Sequence, residues 1–600
     1  MGKKINKICS FFVYPIIKEF PFFALFLFIF ASELTPFVIE MINDFSPLWT
    51  RSLLGRIGII LLYDYIFTSL IAHTGSKTLK YFLYAIVLLL YGIDLFLLLN
   101  FNYRISLNVL VLLLETNSRE ASEFMDGYLL SDSSLTAYWK VLLRLFAIIC
   151  FEFIYNRYVV HRIIEKKKLT HILFVPTILI CIWGVISYSA IVRICQHTTT
   201  EEFFNQQMVE IIKPQDPISS TILSTYGLFI IEHEMEKAIE TTKNLKAIPH
   251  VDKLDSLNVI LIIGESFNKW HSELYGYNHK TTPGLSRESQ NGNLFIFNDA
   301  VCPFCLTSPS MKGLLSCNSV SDGEAWSDYP FFPAIFKAAQ YNVYFWDNQR
   351  TFNNSAPYSI SLNSYLYNED ISKLSYTATN DSSFTYDDEL VNSFENKVKN
   401  LSDHNLIIFH LIGQHYDARE RFPHNKKYMH FTTDSIQRKE AYLQDREKRQ
   451  HIADYDNAIL YNDYVIQHIL NLFRDKNTVM VFLTDHGEET YDYKDSMYRN
   501  YEGMTKGWIK HIHNIPFMVW CSDTYIQNHE KTVESIKNSK ERSFMTDNLC
   551  QLMFHLGEIK SDYYIPERDV ISDSFVPRKR LIEDVMTYEK FDYDEIKNQQ

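Results

Sequence analysis

Five apolar stretches in the first third of the chain restrict its fold more than any other feature. The last of them, residues 172–192, contains no charged residue and is long enough to cross about 30 Å of hydrocarbon. The fourth is the weakest, because Arg144, Glu152 and Arg157 interrupt it. Repeated runs of this length predict a multi-span α-helical membrane domain rather than the core of a soluble protein. The five predicted spans are residues 20–31 with an extension to 42, 53–72, 81–99, 141–160 and 172–192.

The positive charges beside these runs set the expected orientation. The basic residues of the N-terminus and of segments 77–80 and 157–168 all fall on one side of the membrane if the N-terminus is cytoplasmic. Because the number of predicted spans is odd, everything after Cys195 then lies on the outer face. The predicted parts of the chain are a transmembrane domain over residues 1–197, connecting helices over 198–250 and an outer domain over 251–600.

A shorter apolar segment, residues 105–114, lies between the third and fourth predicted spans. It is too short to cross the membrane and runs into a polar stretch that contains Glu115, Asn117 and Glu120. At the outer face, a half-buried segment with amide and carboxylate groups is suited to hold a lipid headgroup that carries a cationic amine. The alternative is a surface helix with an ordinary polar end.

Beyond residue 250 the apolar residues come in short runs that alternate with helical stretches. Such runs, each followed by polar residues, are typical of buried strands in a parallel sheet. Helical patterns between them occupy residues 331–340, 390–401 and 455–473. The alternation predicts an α/β domain with a largely parallel central sheet, and the net charge of −13 argues against a nucleic-acid partner. The predicted strands are residues 258–264, 294–297, 343–346, 406–412, 479–483 and 516–520.

Polar side chains with metal-binding atoms follow several of these strands. Glu265 comes directly after the strand 258–264, and the pair Asp485 and His486 follows the strand 479–483. Because the carboxyl ends of parallel strands meet at one sheet edge, these side chains are expected to converge. Their oxygen and nitrogen atoms suit zinc or manganese, although each residue alone could equally be a satisfied surface group. Further strand-end or nearby candidates are His410, His415, His511 and His513.

Thr307 is the candidate nucleophile. It precedes a run, residues 308–315, that is predicted to form a helix with Pro309 in its first turn. A hydroxyl at a helix N-terminus lies among free N–H groups that favour a bound anion such as phosphate. A metal bound to the hydroxyl would lower its pKa and make it a nucleophile near neutral pH. The alternative role is an ordinary helix-capping threonine.

These motifs, in this order and after these membrane spans, give the chain a specific resemblance to a known family. The sequence resembles the membrane-anchored phosphoethanolamine transferases (lipid A type) of the alkaline phosphatase/sulfatase superfamily. The resemblance covers almost the whole chain. The matching motifs are Ile263-Gly264-Glu265-Ser266, Tyr275-Gly276-Tyr277, Thr281-Thr282-Pro283, Trp346-Asp347-Asn348-Gln349, His410-Leu411-Ile412-Gly413-Gln414-His415, Arg421-Phe422-Pro423, Tyr455-Asp456-Asn457-Ala458-Ile459, Tyr461-Asn462-Asp463 and Asp485-His486-Gly487-Glu488.

The resemblance implies a sulfatase/alkaline-phosphatase-like outer domain, a site for one or two Zn²⁺ ions and a two-step reaction. Thr307 would attack the phosphate of phosphatidylethanolamine and release diacylglycerol. A lipid A, core lipopolysaccharide or glycan acceptor would then take the phosphoethanolamine group. The protein would be a multi-pass protein of the cell inner membrane with its catalytic domain in the periplasm. The implied residues are Glu265, Thr307, Asp485 and His486 for the metal, His415 for the phosphate or a second zinc, and Asn108, Glu115, Asn117 and Glu120 for the donor headgroup.

Several departures from the family pattern qualify these expectations. The family usually has another His soon after the Asp-His-Gly-Glu motif, but residues 491–510 contain none, so His511 or His513 would have to serve. Members often carry a Lys soon after the Asp-Asn pair, where this chain has only Arg350 nearby. Cysteines flank Thr307, so the family's disulfides imply one bridge across it among Cys302, Cys305 and Cys317, and a second between Cys521 and Cys550.

A second reading within the superfamily is a lipoteichoic-acid-synthase-like glycerophosphotransferase. Such an enzyme would share the spans and the threonine nucleophile but use phosphatidylglycerol and manganese. The context of Glu265 and the motif at residues 346–349 favour the ethanolamine donor. The signature from which sulfatases make formylglycine is missing around Ser308 and Pro309, which argues against a sulfatase. A non-catalytic outer module would be expected to lose its ligands, whereas Glu265 and Thr307 are both present.

Overall fold

The computed structural model divides the chain into two compact units, Met1–Ile231 and Glu232–Gln600. The boundary falls inside a helix of the predicted connector, and the predicted division at residues 197 and 250 stays a prediction. The structure describes residues 2–29, 47–101, 104–116, 121–122, 125, 129, 132–160, 167–200, 202–203, 206, 216–245, 250–251, 256–350, 365–495, 497, 503–584 and 589–598.

The first unit is built from helices, as the apolar runs predict. A π-helical turn, Tyr155–Val159, continues the helix Asp132–Ile154. The helix Pro217–Lys243 runs on into the second unit. The stretch Phe20–Ile29 follows the first helix after a bend of 65°. The helices are α1 (Gly2–Lys18), α2 (Pro47–Thr74), α3 (Lys77–Phe101), α4 (Leu107–Glu115), α5 (Asp132–Ile154), α6 (Lys167–Ile194) and α7 (Pro217–Lys243).

Three helices of the described part of the chain are long and apolar enough to cross a membrane. They are Leu53–Thr74, Lys77–Phe101 and Leu169–Ile194, and the bent pair around residue 19 makes a fourth candidate if it forms one broken span. The fourth predicted span, residues 141–160, is helical but is not among these candidates, and its helix α5 carries charged side chains. The membrane character of the unit is therefore confirmed, with three or four candidates in place of five.

Two groups of charged side chains inside the first unit form ion pairs. The Lys80 ammonium lies 2.7 Å from a carboxylate oxygen of Glu19 and 2.5 Å from one of Glu152. Arg104 contacts the Asp94 carboxylate at 2.6 Å. Charged groups among apolar helices are costly unless they are paired in this way. Glu152 thus interrupts the hydropathy of its helix while contributing to the packing of the unit.

The short apolar segment between the third and fourth predicted spans forms helix α4. Ser106 caps it by accepting a hydrogen bond from the backbone N–H of Val109. Asn108 is half-buried in its first turn. The Glu115 side chain, Asn117 and Glu120 lie outside the described residues, so their predicted contact with a donor headgroup stays a prediction.

The second unit contains an eight-stranded sheet of order β5-β4-β6-β2-β7-β8-β3-β9. Its neighbours pair in parallel except where β8 runs antiparallel to both β7 and β3. Two further antiparallel pairs, β1 with β10 and β11 with β12, lie apart from this sheet. The strands are β1 (His250–Val251), β2 (Leu257–Gly264), β3 (Leu294–Val301), β4 (Asn342–Asp347), β5 (Ala378–Thr379), β6 (His404–His410), β7 (Thr478–Thr484), β8 (Asn514–Cys521), β9 (Ser543–Met545), β10 (Ile559–Lys560), β11 (Leu581–Glu583) and β12 (Lys590–Asp592).

The central strands are apolar, and the side chains on both of their faces are buried. Every residue of β2 and of β7 is buried, as expected for strands in the middle of a parallel sheet. The predicted α/β fold with a largely parallel sheet is therefore confirmed. The helices of this unit are α8 (Pro283–Asn291), α9 (Thr307–Leu315), α10 (Phe332–Ala338), α11 (Glu369–Ser375), α12 (Asp387–Lys397), α13 (Arg446–Phe473), α14 (Lys506–Ile512), α15 (Asp523–Asn528), α16 (Glu530–Ser539), α17 (Leu549–Leu556) and α18 (Tyr593–Lys597).

The longest helix of this unit, α13, begins nine residues before the predicted start at residue 455. Asp445 caps it by accepting a hydrogen bond from the backbone N–H of Glu447. Its first turn is polar and shows no apolar period, so the pattern of residues reveals only the buried part of the helix. The buried part packs into the same core as Phe482 and Trp346.

Candidate metal centre and nucleophile

The register of two neighbouring strands brings the first site residues together. Strands β2 and β7 are parallel, and Gly264 lies directly beside Thr484. The next residues along each strand are Glu265 and Asp485, so both carboxylates leave the sheet at the same edge. The backbone N–H of Ser266 donates to Asp485 Oδ1 at 3.2 Å, which links the two strand ends. Ser266 adopts a left-handed conformation with φ of 54°, a strained geometry that often marks a functional site.

Glu265, Asp485 and His486 form one buried cluster. Each offers one ligand atom, and these atoms lie within 4.8 Å of one another. His486 Nε2 is 3.2 Å from Asp485 Oδ2 and 3.5 Å from Glu265 Oε1. None of the three side chains is exposed. Two carboxylates and one imidazole nitrogen in this arrangement match the ligands of zinc or manganese in proteins.

The protonation of His486 supports this assignment. Its Nδ1 lies 2.9 Å from the backbone carbonyl of Gly487, and a carbonyl oxygen can only accept a hydrogen bond. Nδ1 therefore carries the proton, and Nε2 turns its lone pair toward the two carboxylates in the neutral ring. Ligating histidines are commonly fixed in this way by a carbonyl on their other nitrogen. A cation among the three acceptors would relieve their mutual repulsion.

Thr307 meets the cluster from a different element. It is the first residue of α9, and its hydroxyl donates to Glu265 Oε2 at 3.1 Å. The capping position belongs to Leu306, which makes no side-chain capping bond. The alternative role of Thr307 as an ordinary capping residue is therefore wrong, because its hydroxyl points to Glu265 and not to the helix backbone. The hydroxyl is half-buried, while the carboxylate that it contacts is fully enclosed.

Gln349 is a contact of the cluster that the residue pattern did not single out. It lies two residues after the end of β4, and its side-chain amide donates to Glu265 Oε2 at 3.2 Å and to the Leu411 carbonyl at 2.9 Å. The same carboxylate oxygen thus accepts from Thr307 and from Gln349. The only signal in the sequence was the family motif at residues 346–349, which gave the residue no role.

His415 lies on a loop that wraps tightly around Glu265. The backbone N–H of Gln414 donates to the Glu265 carbonyl at 3.1 Å, and Gly413 adopts a φ of 49°. His415, the next residue, is half-buried beside this contact. It is not part of the three-residue cluster among the described residues. Its predicted role in holding phosphate or a second zinc stays a prediction.

His410, at the end of β6, forms a buried pair with Asp347 of β4. His410 Nδ1 lies 2.9 Å from Asp347 Oδ1. Burial alone would lower the pKa of His410, but the Asp347 carboxylate outweighs burial and raises it. The pair fixes the ends of two neighbouring strands close to Glu265.

The two histidines proposed to replace the family's missing one have different surroundings. His511 is 5% exposed, and its Nδ1 lies 3.8 Å from Asp492 Oδ2. His513 is fully buried, and its Nδ1 lies 2.9 Å from the carbonyl of Cys302. Burial lowers the pKa of each ring to about 4. Neither belongs to the three-residue cluster of the described part of the chain, and their substrate role stays a prediction.

A buried charge network lies behind the metal cluster and was missed by the residue pattern. His271 Nδ1 is 2.6 Å from Asp456 Oδ1, and its Nε2 is 3.0 Å from Asp492 Oδ2. Arg438 contacts the other oxygen of Asp492 at 2.6 Å. Burial alone would lower the pKa of His271, but the two carboxylates raise it to about 9. Tyr455 connects this network to the cluster, since its hydroxyl donates to the Ser266 carbonyl at 2.5 Å.

Comparison with known proteins agrees with this fold and site. Residues 257–552 match the sulfatase family, so this part of the chain is a sulfatase-family domain. The chain is 26% identical over 329 residues to phosphoethanolamine transferase EptC of Escherichia coli O18:K1:H7, covering 54% of this chain and 55% of that protein. It is 26% identical over 297 residues to the Kdo(2)-lipid A phosphoethanolamine 7''-transferase of Salmonella typhimurium, covering 48% of each.

The chain thus spans about half the length of the curated relatives that it matches. A solved structure extends the likeness further. The integral membrane protein lipooligosaccharide phosphoethanolamine transferase A of Neisseria meningitidis matches with a TM-score of 0.57 and 16% identity. The match covers 92% of this chain and 98% of that chain. It confirms the architecture of membrane helices followed by an α/β domain.

Proposed function

We propose that the protein transfers phosphoethanolamine from phosphatidylethanolamine to a cell-envelope acceptor such as lipid A or core lipopolysaccharide. The observation that carries the proposal is the half-buried Thr307 hydroxyl, which donates to Glu265 beside Asp485 and His486. The names of the similar proteins support the transferred group and the acceptor class. The apolar helices support a membrane location, where a lipid donor is available.

The residues of the cluster fit a zinc ion. Glu265, Asp485 and His486 would hold it together with the Thr307 hydroxyl, since their ligand atoms already converge. When bound, zinc stabilises the negative charge that builds on the phosphoryl oxygens during transfer. Manganese accepts the same donor set and is the alternative metal. His415, His511 and His513 are the candidates for a second ion or for the substrate phosphate.

In the first step, Thr307 Oγ1 attacks the phosphorus of the donor. A bond forms between Oγ1 and phosphorus, and the bond from phosphorus to the glycerol oxygen breaks. The threonine proton leaves along the hydrogen bond to Glu265 Oε2 and passes on to the glycerol oxygen as diacylglycerol departs. The free N–H groups at the start of α9 face the transferred anion and hold it in place.

In the second step, an oxygen of the acceptor attacks the phosphothreonine. The new bond joins this oxygen to phosphorus, and the bond to Thr307 Oγ1 breaks. The acceptor hydroxyl loses its proton to Glu265, which passes it to Oγ1, and the threonine hydroxyl returns to its hydrogen bond with Glu265. Gln349 keeps the carboxylate in one orientation through both steps, because it donates to the same oxygen as Thr307.

The donor would enter from the membrane side. Asn108, Glu115, Asn117 and Glu120 on and after α4 are proposed to hold the ethanolamine headgroup, since carboxylates and an amide suit a primary ammonium group. The distribution of positive charges supports a multi-pass protein of the inner membrane with its catalytic domain in the periplasm.

The donor assignment is tested with the full-length protein in detergent and short-chain fluorescent phosphatidylethanolamine. The expected products are fluorescent diacylglycerol and a protein whose mass has grown by one phosphoethanolamine group at Thr307. Phosphatidylglycerol serves as the competing donor. Release of diacylglycerol from phosphatidylglycerol alone would reject the ethanolamine donor and support the glycerophosphotransferase.

Variants distinguish the loss of the nucleophilic hydroxyl from general damage to the fold. Thr307→Ala is expected to abolish both the adduct and the release of diacylglycerol, while Thr307→Ser retains a hydroxyl and part of the activity. Thr385→Ala removes an exposed threonine hydroxyl elsewhere and is expected to leave activity unchanged. Transfer that survives Thr307→Ala would exclude the covalent intermediate. Mass spectrometry of lipid A and core sugars from cells with and without the protein identifies the acceptor.

A further inference from the structure

We propose that a basic cavity beside strand β9 binds a phosphate group that the acceptor lipid already carries. The cavity has a volume of about 370 Å³. The inference deepens the proposed function and rests on it in one respect, since it takes the acceptor to be a phosphorylated glycolipid. Among the described residues, the charged side chains that line the cavity are Arg568, Arg578, Lys579, Arg580 and Asp547.

The cavity lies at the same edge of the sheet as the metal centre. Strand β9 runs parallel to β3, and β3 runs in the same direction as β2. The lining residues Asp547 and Asn548 follow β9, so they leave the sheet at the same edge as Glu265. Ser319, which also lines the cavity, comes shortly after the end of α9. The cavity therefore lies beyond the end of α9 that is opposite to Thr307, and a helix of nine residues extends about 13 Å along its axis.

The cationic groups at the cavity carry more positive charge than their carboxylate partner neutralises. Arg568 donates to both oxygens of Asp322 at 2.6 Å, and Arg578 donates to one of them at 3.0 Å. Two guanidinium groups thus share one carboxylate. Arg578 Nη1 is buried and has no hydrogen-bond partner among the described residues. A buried charged donor without an acceptor is costly, and phosphate oxygens form strong, charge-assisted hydrogen bonds with guanidinium groups.

The acidic lining residue, Asp547, is already surrounded by donors. Its Oδ2 accepts from the Ser319 hydroxyl at 3.0 Å and from the Val320 backbone N–H at 2.7 Å. Its Oδ1 accepts from Asn548 Nδ2 at 3.2 Å. Burial raises the pKa of Asp547, which favours its neutral form. Both oxygens are therefore occupied, and this carboxyl group does little to repel an anion in the cavity.

An exposed apolar residue at the cavity favours a lipid over a free phosphate ion. Val576 lines the cavity and is 53% exposed. Its backbone N–H donates to the Glu567 carbonyl at 2.9 Å. Arg542 Nη1 donates to the carbonyls of Val570 and Ser572 at 2.7 Å each, so the loop is fixed at both places. Basic side chains beside exposed apolar surface are the features with which proteins bind anionic lipids.

The separation between the cavity and the nucleophile indicates the class of acceptor. A sugar backbone with a phosphate group at each end can occupy the cavity with one end and present the other end to Thr307. The phosphate in the cavity takes no part in bond making. It contributes to the affinity for the acceptor and to the choice of the end that reacts, so its loss should raise KM for the acceptor.

The test measures the affinity of the full-length protein in detergent micelles for lipid A that carries two phosphates. Arg578→Gln combined with Lys579→Gln removes two positive charges and leaves the ion pair of Arg568 in place. Lys531→Gln combined with Lys537→Gln removes two exposed positive charges from α16 and is the matched control. We expect the cavity variant to bind this lipid about tenfold more weakly, the cost of one charged hydrogen bond, and the control to bind it like wild type.

Further ligands and one further variant make the test specific. Lipid A without phosphates should bind the wild type and the cavity variant equally. Arg578→Lys keeps the charge and should recover part of the affinity. The inference would be overturned if the wild type and the cavity variant bound bisphosphorylated lipid A equally, or if the dephosphorylated lipid showed the same tenfold loss. Binding of inorganic phosphate that depends on Arg578 while lipid binding does not would leave an adventitious ion only.

The phosphoethanolamine adduct at Thr307 is measured on the same samples. Weaker lipid binding by the cavity variant without an adduct in any sample would reject the proposed function alone. An adduct in the wild type together with equal lipid affinities of the wild type and the cavity variant would reject the phosphate-binding cavity alone.

Discussion

Substitution of Gly413 by alanine should displace Glu265 and thereby disable the cluster. Gly413 has a φ of 49°, in the left-handed region that favours glycine. A Cβ atom built there would lie 2.8 Å from both the backbone nitrogen and the backbone oxygen of Glu265. These neighbours are backbone atoms that the strand β2 and the Gln414 N–H hold in place, so they cannot rotate away.

The loss of folding stability caused by Gly413→Ala has two parts, which a matched control variant can separate. The left-handed conformation costs a non-glycine residue about 1–2 kcal/mol. Overpacking against a fixed neighbour adds about 1–3 kcal/mol. The sum for Gly413→Ala is therefore about 2–5 kcal/mol. Gly292 has a φ of 86° with nothing within 4 Å of an added Cβ, so Gly292→Ala carries only the conformational part.

Chemical unfolding of both variants measures this difference, and donor turnover measures its effect on the site. We expect Gly413→Ala to lose more stability than Gly292→Ala and to lose most of its turnover, since Glu265 must move. Gly292→Ala should keep its turnover. The reasoning would be refuted if both variants lost the same stability and Gly413→Ala retained full activity and metal content.

Two further perturbations address the groups around the cluster. His271→Gln should remove a stabilisation of up to about 3 kcal/mol. Because the folded pKa of His271 is raised to about 9, this stabilisation is complete below pH 6.5 and disappears as the pH rises through 9. Measuring the free energy of unfolding of wild type and variant at several pH values checks this. An equal loss of stability in both proteins as the pH rises through 9 would contradict it. Gln349→Leu should lower donor turnover about tenfold without unfolding, because Glu265 loses one orienting hydrogen bond. An unchanged kcat would exclude this role.

The strands and the first metal ligands could be predicted because they depend on local pattern and one topological rule. The apolar runs that end at Gly264 and at Thr484 mark buried strands, and parallel strands present their carboxyl ends together. Glu265 and Asp485 were therefore expected at one edge. The antiparallel direction of β8 was not predictable in this way, since an apolar run does not reveal its direction.

The contacts of Thr307 and Gln349 depend on the order of strands, which the pattern of residues does not contain. Thr307 follows β3, which is separated from β2 by β7 and β8, and Gln349 follows β4, which is separated from β2 by β6. Only the folded sheet shows that both side chains reach the same carboxylate oxygen. His271 escaped notice because its partners lie far along the chain, at Asp456 and Asp492.

The pairing of Gly264 with Thr484 makes the metal site depend on the correct register of β2 and β7. A slip of one residue between β2 and β7 would move one strand by about 3.3 Å and turn its side chains to the opposite face. Glu265 and Asp485 would then leave the sheet on different sides, and no three-ligand cluster could form. A misaligned molecule would therefore have no metal site even if its sheet were otherwise compact. Metal content can thus serve as a direct assay for the fraction of molecules that have folded in the correct register.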